Sequence, residues 1–130
     1  MAKKYNRYRS ILTLKCPRCG HGDLFTKKGI FVYKNMMDMP TLCQVCEQKY
    51  EIEPGFWIGA LWTSYPIVIL IEFPFLMMAL FSETLGPWIP LSLMFVAFYF
   101  AYPVMLRVGR SIWIHNWIRY DAELAEKLKG

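Results

Sequence analysis

Four cysteines stand in two matched pairs, Cys16-Pro17-Arg18-Cys19 and Cys43-Gln44-Val45-Cys46, with 23 residues between them. A CxxC turn brings two sulfurs to one point, and two such turns complete the tetrahedral S4 shell that zinc accepts. The expected ligands are therefore Cys16, Cys19, Cys43 and Cys46, held as thiolates around Zn2+, with iron in the same cage the lesser alternative. Disulfides are the competing use of four thiols, and they need an oxidising compartment. A thioredoxin-type redox pair is disfavoured, because two matched pairs stand here without a βαβ pattern. Gly20 follows the first pair and supplies the positive φ of a tight knuckle. Glu47 takes the same place after the second pair and suits that turn less well. His21 lies near Cys19, but four sulfurs already fill the shell, so it is expected on the loop surface.

Glu72 is the second residue with chemistry to explain. Between Gly55 and Leu106 the only charges are Glu72 and Glu83, with no Lys or Arg. An ionisable group inside a membrane span costs roughly 2.5 kcal/mol or more near the bilayer centre unless it is satisfied. In an antiparallel hairpin turning near Thr84 and Leu85, residue 72 lies opposite 97–98. Tyr99 is then within a turn, Tyr102 a turn beyond, and Tyr65 shares Glu72's own helix face. The expectation is a protonated Glu72 that points into the protein and hydrogen-bonds Tyr65, Tyr99, Tyr102 or a partner subunit. Arg107 and Arg110, three residues apart, share a helix face at the membrane boundary. Lys3, Lys4, Arg7, Arg9, Lys27 and Lys28, interleaved with Tyr5, Tyr8 and Phe25, are what a nucleic-acid surface would use.

These residues need elements to hold them. The chain has 130 residues, of which 55% are hydrophobic, 17% aromatic and 19% charged. Soluble domains carry roughly 25% charged residues, and this composition excludes disordered and collagenous chains. The uncharged middle reads as a transmembrane hairpin with spans at about 56–81 and 88–106, joined by a turn at 82–87. The first span is roughly 39 Å as helix, longer than a hydrocarbon core of about 30 Å. It must tilt, start in the interface, or kink at Pro66 or Pro74. Trp57, Trp62 and Trp88 fall near span ends, as an aromatic belt would have them. Residues 1–54 read as a small β zinc ribbon with short strands at 10–14, 30–33 and 50–52. Such a head has too little core to fold unaided, and metal is a common remedy. Residues 107–130 read as an interfacial helix, or one packed beneath the head, followed by a polar tail from Ala122. The fold class is thus a β zinc ribbon joined to an α-helical two-span hairpin, with a C-terminal interfacial helix.

Charge gives the orientation. Residues 1–54 hold ten Lys/Arg and five Asp/Glu, 55–106 none and two, and 107–130 five and three. Lys and Arg near span ends stay cytoplasmic, so both termini are expected in the cytoplasm, where reduced thiols persist. The apolar run 11–14 is too short for the roughly 7–15 residues of a signal-peptide core.

The strings Cys-Pro-Arg-Cys-Gly-His-Gly-Asp-Leu-Phe (16–25), Cys-Gln-Val-Cys (43–46), Tyr-Glu-Ile-Glu-Pro-Gly-Phe-Trp-Ile-Gly-Ala (50–60) and Trp-Ile-His-Asn-Trp-Ile-Arg-Tyr-Asp (113–121) occur in that order. In them the sequence resembles the bacterial DUF983 family of small zinc-ribbon membrane proteins. Glu47 departs from the glycine such proteins often carry after the second knuckle. The resemblance implies a ribbon on two helices in the bacterial cytoplasmic (inner) membrane, and it implies no catalytic residues.

No Ser/His/Asp arrangement, phosphate-binding Gly-rich loop or HExxH stands in the sequence, so an enzyme is not expected. The leading expectation is an adaptor, accessory subunit or assembly factor, anchored in the lipid bilayer and docking on a membrane-protein partner. The alternatives are metal or small-solute handling around Glu72, and nucleic-acid or ribosome binding by the basic head.

Overall fold

The computed structural model describes residues 5–128. Four helices follow in order: α1 (Arg7–Leu12), α2 (Ala60–Phe81), α3 (Trp88–Trp117) and α4 (Ala122–Lys127), with a 3-10 turn at Phe56–Ile58 leading into α2.

Helices α2 and α3 pack antiparallel, because small residues let their backbones approach. The Thr63 hydroxyl donates to the Gly109 carbonyl at 2.7 Å and the Ser64 hydroxyl to the Met105 carbonyl at 3.3 Å. A side chain on Gly109 would collide with the Ser64 hydroxyl, and one on Gly59 with the Trp113 ring. Pro66 and Pro74 lie inside α2 and Pro103 inside α3, and both helices continue through them. Phe56–Phe81 and α3 are each long and apolar enough to cross a membrane. Only 6% and 22% of their apolar windows are buried, so these side chains face outward and form no soluble core.

Helix α3 runs 30 residues, past the expected span end at residue 106. The segment after residue 106, expected to be helical, continues this helix to Trp117. No proline follows Pro103 to break it, and Leu106, Arg107, Val108, Gly109, Ser111, Ile114 and His115 are all buried. Of the two expected placements, the packed one holds, with α3 as the platform of the head.

No β-strand occurs among the described residues, which corrects the expected β ribbon. Two isolated antiparallel bridges, Lys15 with Asp23 and Leu42 with Lys49, each close one knuckle. The first expected strand overlaps α1, whose N-terminus Asn6 caps by accepting from the Tyr8 and Arg9 N–H groups. Tertiary contacts then hold that helix on α3. Arg7 donates to the His115 carbonyl and the Asn116 side chain, the Ser111 hydroxyl donates to the Ile11 carbonyl, and His115 Nε2 faces Ser10 Oγ at 3.2 Å. Residues 30–33 and 50–52 are irregular. The carbonyls of Lys27, Gly29, Met36 and Met37 meet arginines of α3 where a ribbon would give them a strand partner. The core of the head gathers Leu14, Leu24, Phe25, Tyr50 and three cysteines around Ile114 of α3. The expected polar tail contains α4, capped by Asp121 and seated through Ala125, which is 1% exposed.

Candidate metal centre

Each knuckle is a short loop closed by the same pair of backbone bonds. Cys16 N–H donates to Gly22 O and Gly20 N–H to Cys16 O; Cys43 N–H donates to Gln48 O and Glu47 N–H to Cys43 O. Gly20 and Glu47 occupy the equivalent turn position at φ 69° and 56°. The second knuckle therefore adopts the left-handed turn even without glycine. Backbone N–H groups two and three residues on reach the sulfurs of Cys16 and Cys43.

The two knuckles bring all four Sγ atoms within 4.8 Å of one another. Cys16 and Cys46 sulfurs are 3.8 Å apart, and those of Cys19 and Cys43 are 3.9 Å apart. A tetrahedron with Zn–S bonds of about 2.3 Å has edges of about 3.8 Å. All four are free thiols; Cys16, Cys19 and Cys43 are buried and Cys46 is half-buried. The cluster could hold a metal ion, and its donor set is one that zinc accepts.

Burial pushes the Cys16 thiol up, and Cys46 up to about 11. Burial also opposes ionisation of Cys43, but the Tyr50 hydroxyl and the Cys46 and Val45 N–H groups outweigh it and lower that thiol to about 7. A cation bound by the four sulfurs would hold them as thiolates.

Two supporting residues escape a search for metal ligands. Gly22 has no room for a side chain, because a Cβ there would collide with Cys43 Sγ. Tyr50, 1% exposed, donates to the Asp23 carbonyl at 3.2 Å and lies against Cys43, bracing one knuckle on the other. The signal for Gly22 was its place in Cys-Gly-His-Gly; nothing local marks Tyr50. His21 is exposed, with Nδ1 2.6 Å from the Cys19 carbonyl, and takes no part in the cluster.

The expected tyrosine partners of Glu72 are a correction. Both carboxylate oxygens are buried, yet neither has a hydrogen-bond partner among the described residues. Tyr65 and Tyr99 are 64% and 61% exposed, and Tyr102 also lies on the outer surface. The contacts of Thr63 and Ser64 give the expected antiparallel register, but rotation about α3 decides the face. Pro90, Met94, Ala97, Ala101 and Met105 form its half-buried to buried stripe, and the tyrosines fall off it. Tyr99 instead meets the head: the Tyr33 ring stacks on it at 5.1 Å, and Tyr33 Oη donates to its carbonyl at 3.0 Å.

The boundary arginines are clamps, and Arg107 is no free headgroup ligand. It is 0% exposed and grips the Lys27, Gly29 and Met36 carbonyls. Arg110 lies 5.0 Å over the Trp57 ring. The interleaved nucleic-acid surface does not form as expected. Phe25 is buried under Arg107, Tyr5 stacks on Tyr120 at 3.6 Å, and Lys3 and Lys4 lie outside the described residues.

No curated protein and no solved structure matches the chain. A family model described as "Protein of unknown function (DUF983)" matches residues 33–117. The match begins after the first knuckle and takes in the second knuckle, α2 and the whole of α3. Since it spans well over half of the chain, the protein belongs to the DUF983 family.

Proposed function

We propose that the protein is a membrane-anchored zinc protein that serves as an adaptor or accessory subunit of a membrane-protein complex. The observation that carries this reading is the closed cysteine cluster, whose buried sulfurs share one core with Ile114 of α3. Structural zinc sites are closed four-ligand sites, whereas catalytic ones keep a position open for water or substrate. A metal here sets the shape of a small surface and fixes it to the end of a long helix. The outward apolar faces of α2 and α3 support a bilayer as their surroundings. The basic flanks and uncharged middle support cytoplasmic placement of both termini, where zinc-bound thiolates are stable. The reading assigns no catalytic residue.

The test is purification of wild type and Cys43→Ser side by side from native membranes in mild detergent. Wild type should carry one zinc per chain and a stoichiometric membrane-protein partner, and the variant should lose both. A zinc-loaded wild type that emerges alone would overturn the adaptor reading. Rapid loss of zinc to a chelator from a head that stays folded would point to metal handling.

A further inference from the structure

The segment between the knuckles is held by the membrane-proximal helix in an unusual way. Arg107 is fully buried and spends no donor on a carboxylate. Its Nε donates to the Met36 carbonyl at 3.1 Å and its Nη1 to the Lys27 carbonyl at 2.9 Å and to that of Gly29; the guanidinium lies 4.6 Å over the Phe25 ring. Arg110 takes the Met37 carbonyl at 3.3 Å. Tyr33 reaches further, bonding and stacking on Tyr99, eight residues before Arg107. At 1.5 Å per residue that contact lies about 12 Å along α3 from Arg107, toward the hairpin turn.

The loop's outer surface is apolar: Phe31 is 67% exposed, Tyr33 40% and Met37 38%. Lys27, Lys28 and Lys34 surround it and are exposed, against the single acid Asp38; Lys28 also approaches Asp23 at 3.7 Å. In water, carbonyls of an irregular loop are satisfied by solvent and need no buried cation. At bilayer depth such backbone persists only where protein groups satisfy it. Two arginines serving four carbonyls fit the second environment.

We propose that residues 27–37 form a loop seated in the headgroup–acyl boundary of the bilayer. Phe31, Tyr33 and Met37 face lipid, while Lys27, Lys28 and Lys34 reach back to anionic headgroups. The loop thereby fixes the height of the cysteine cluster above the membrane. This rests on the reading that α2 and α3 span the bilayer, and the experiment separates the two.

The zinc-loaded full chain is placed in vesicles of phosphatidylcholine and phosphatidylglycerol, with the photo-crosslinker p-benzoylphenylalanine in place of Phe31, Met37, Phe95 or Gln44 in turn. Phe95, 71% exposed on α3, reports the span, and exposed Gln44 on the second knuckle reports background. Lipid adducts should form at Phe31, Met37 and Phe95 in comparable yield, with a large loss at Gln44. Adducts at Phe95 with none at Phe31 and Met37 would overturn the loop proposal and leave the span standing. Absence of adducts at Phe95 would remove the span, and the loop with it. Crosslinks from Phe31 to a second copy of the chain in place of lipid would also overturn the proposal.

Discussion

At Glu47 a side chain occupies a backbone conformation that glycine holds in the sister knuckle, φ 56° against 69°. A left-handed residue with a Cβ costs about 1–2 kcal/mol, partly offset by the greater freedom of glycine in the unfolded chain. Glu47→Gly should therefore stabilise the zinc-loaded head by about 1 kcal/mol, read as a higher denaturation midpoint. Cys43 is the opposite case. Structural zinc in small knuckles is bound with about 10–16 kcal/mol, more than a head of this size can replace by packing. Cys43→Ser should drop metal analysis well below one zinc per chain and raise protease sensitivity of residues 5–54. Glu72 leaves both carboxylate oxygens buried and without a partner among the described residues. A buried polar group without a partner costs about 1–3 kcal/mol. Glu72→Leu should thus stabilise the isolated chain in detergent by a similar amount; destabilisation would show that Glu72 is bonded within the chain itself.

Among the elements, α3 carries the greatest burden. It packs against α2 along its length, closely at Gly109, and its C-terminal part also forms the floor of the head through Arg107, Ser111, Ile114 and His115. At Gly109 the two helices approach closely, and Ser64 fills the space a Cβ would need. Small residues at helix contacts in membranes permit such approach. Gly109→Leu should separate the helices and destabilise the hairpin by about 1–3 kcal/mol or more. Gly109→Ala should cost less, because Ser64 can turn aside. Unfolding of both variants in mixed detergent, with wild type as reference, reads the difference.

On the scale of the whole molecule, the antiparallel pair puts both flanks at one end, and the Tyr5–Tyr120 stack ties them together. A reporter fused after Gly130 should be active only in the cytoplasm, and activity only in the periplasm would reverse the orientation. Chelation by EDTA under mild denaturant should disorder the head while the α2–α3 pair persists. The two parts draw on different forces: the head on thiolate–metal bonds and a small core, the helices on backbone bonds and packing. Helical signal by circular dichroism should fall only by the share of α1 and α4, while protease sites open in residues 5–54.

The cysteine pairs and the two apolar runs were legible in the sequence because each is a local pattern with its own physics. A CxxC turn gathers sulfurs wherever it occurs, and an uncharged run of helical length is recognised from composition alone. The equivalence of the Gly20 and Glu47 places was legible too, but the expectation that Glu47 suits the turn less well did not foresee that it takes the same left-handed conformation. The rest was decided by contacts between residues far apart in the chain. Residues 10–12 have strand-like composition, but an Asn6 cap and the floor offered by Ser111 and His115 make them helix. That the chain stays helical past residue 106 was legible from the three- and four-residue spacing of its arginines and tryptophans; its packing as the floor of the head depends on what buries Arg107 and Ile114, which no helix periodicity states. The neighbours of Glu72 depend on rotation about α3, where Ala97, Ala101 and Gly109 outweigh any hydrogen bond a tyrosine could offer. Sequence thus determined which residues could bind metal and which could meet lipid; only tertiary packing decided which faces met, because a helix's rotation is set by its partner's shape.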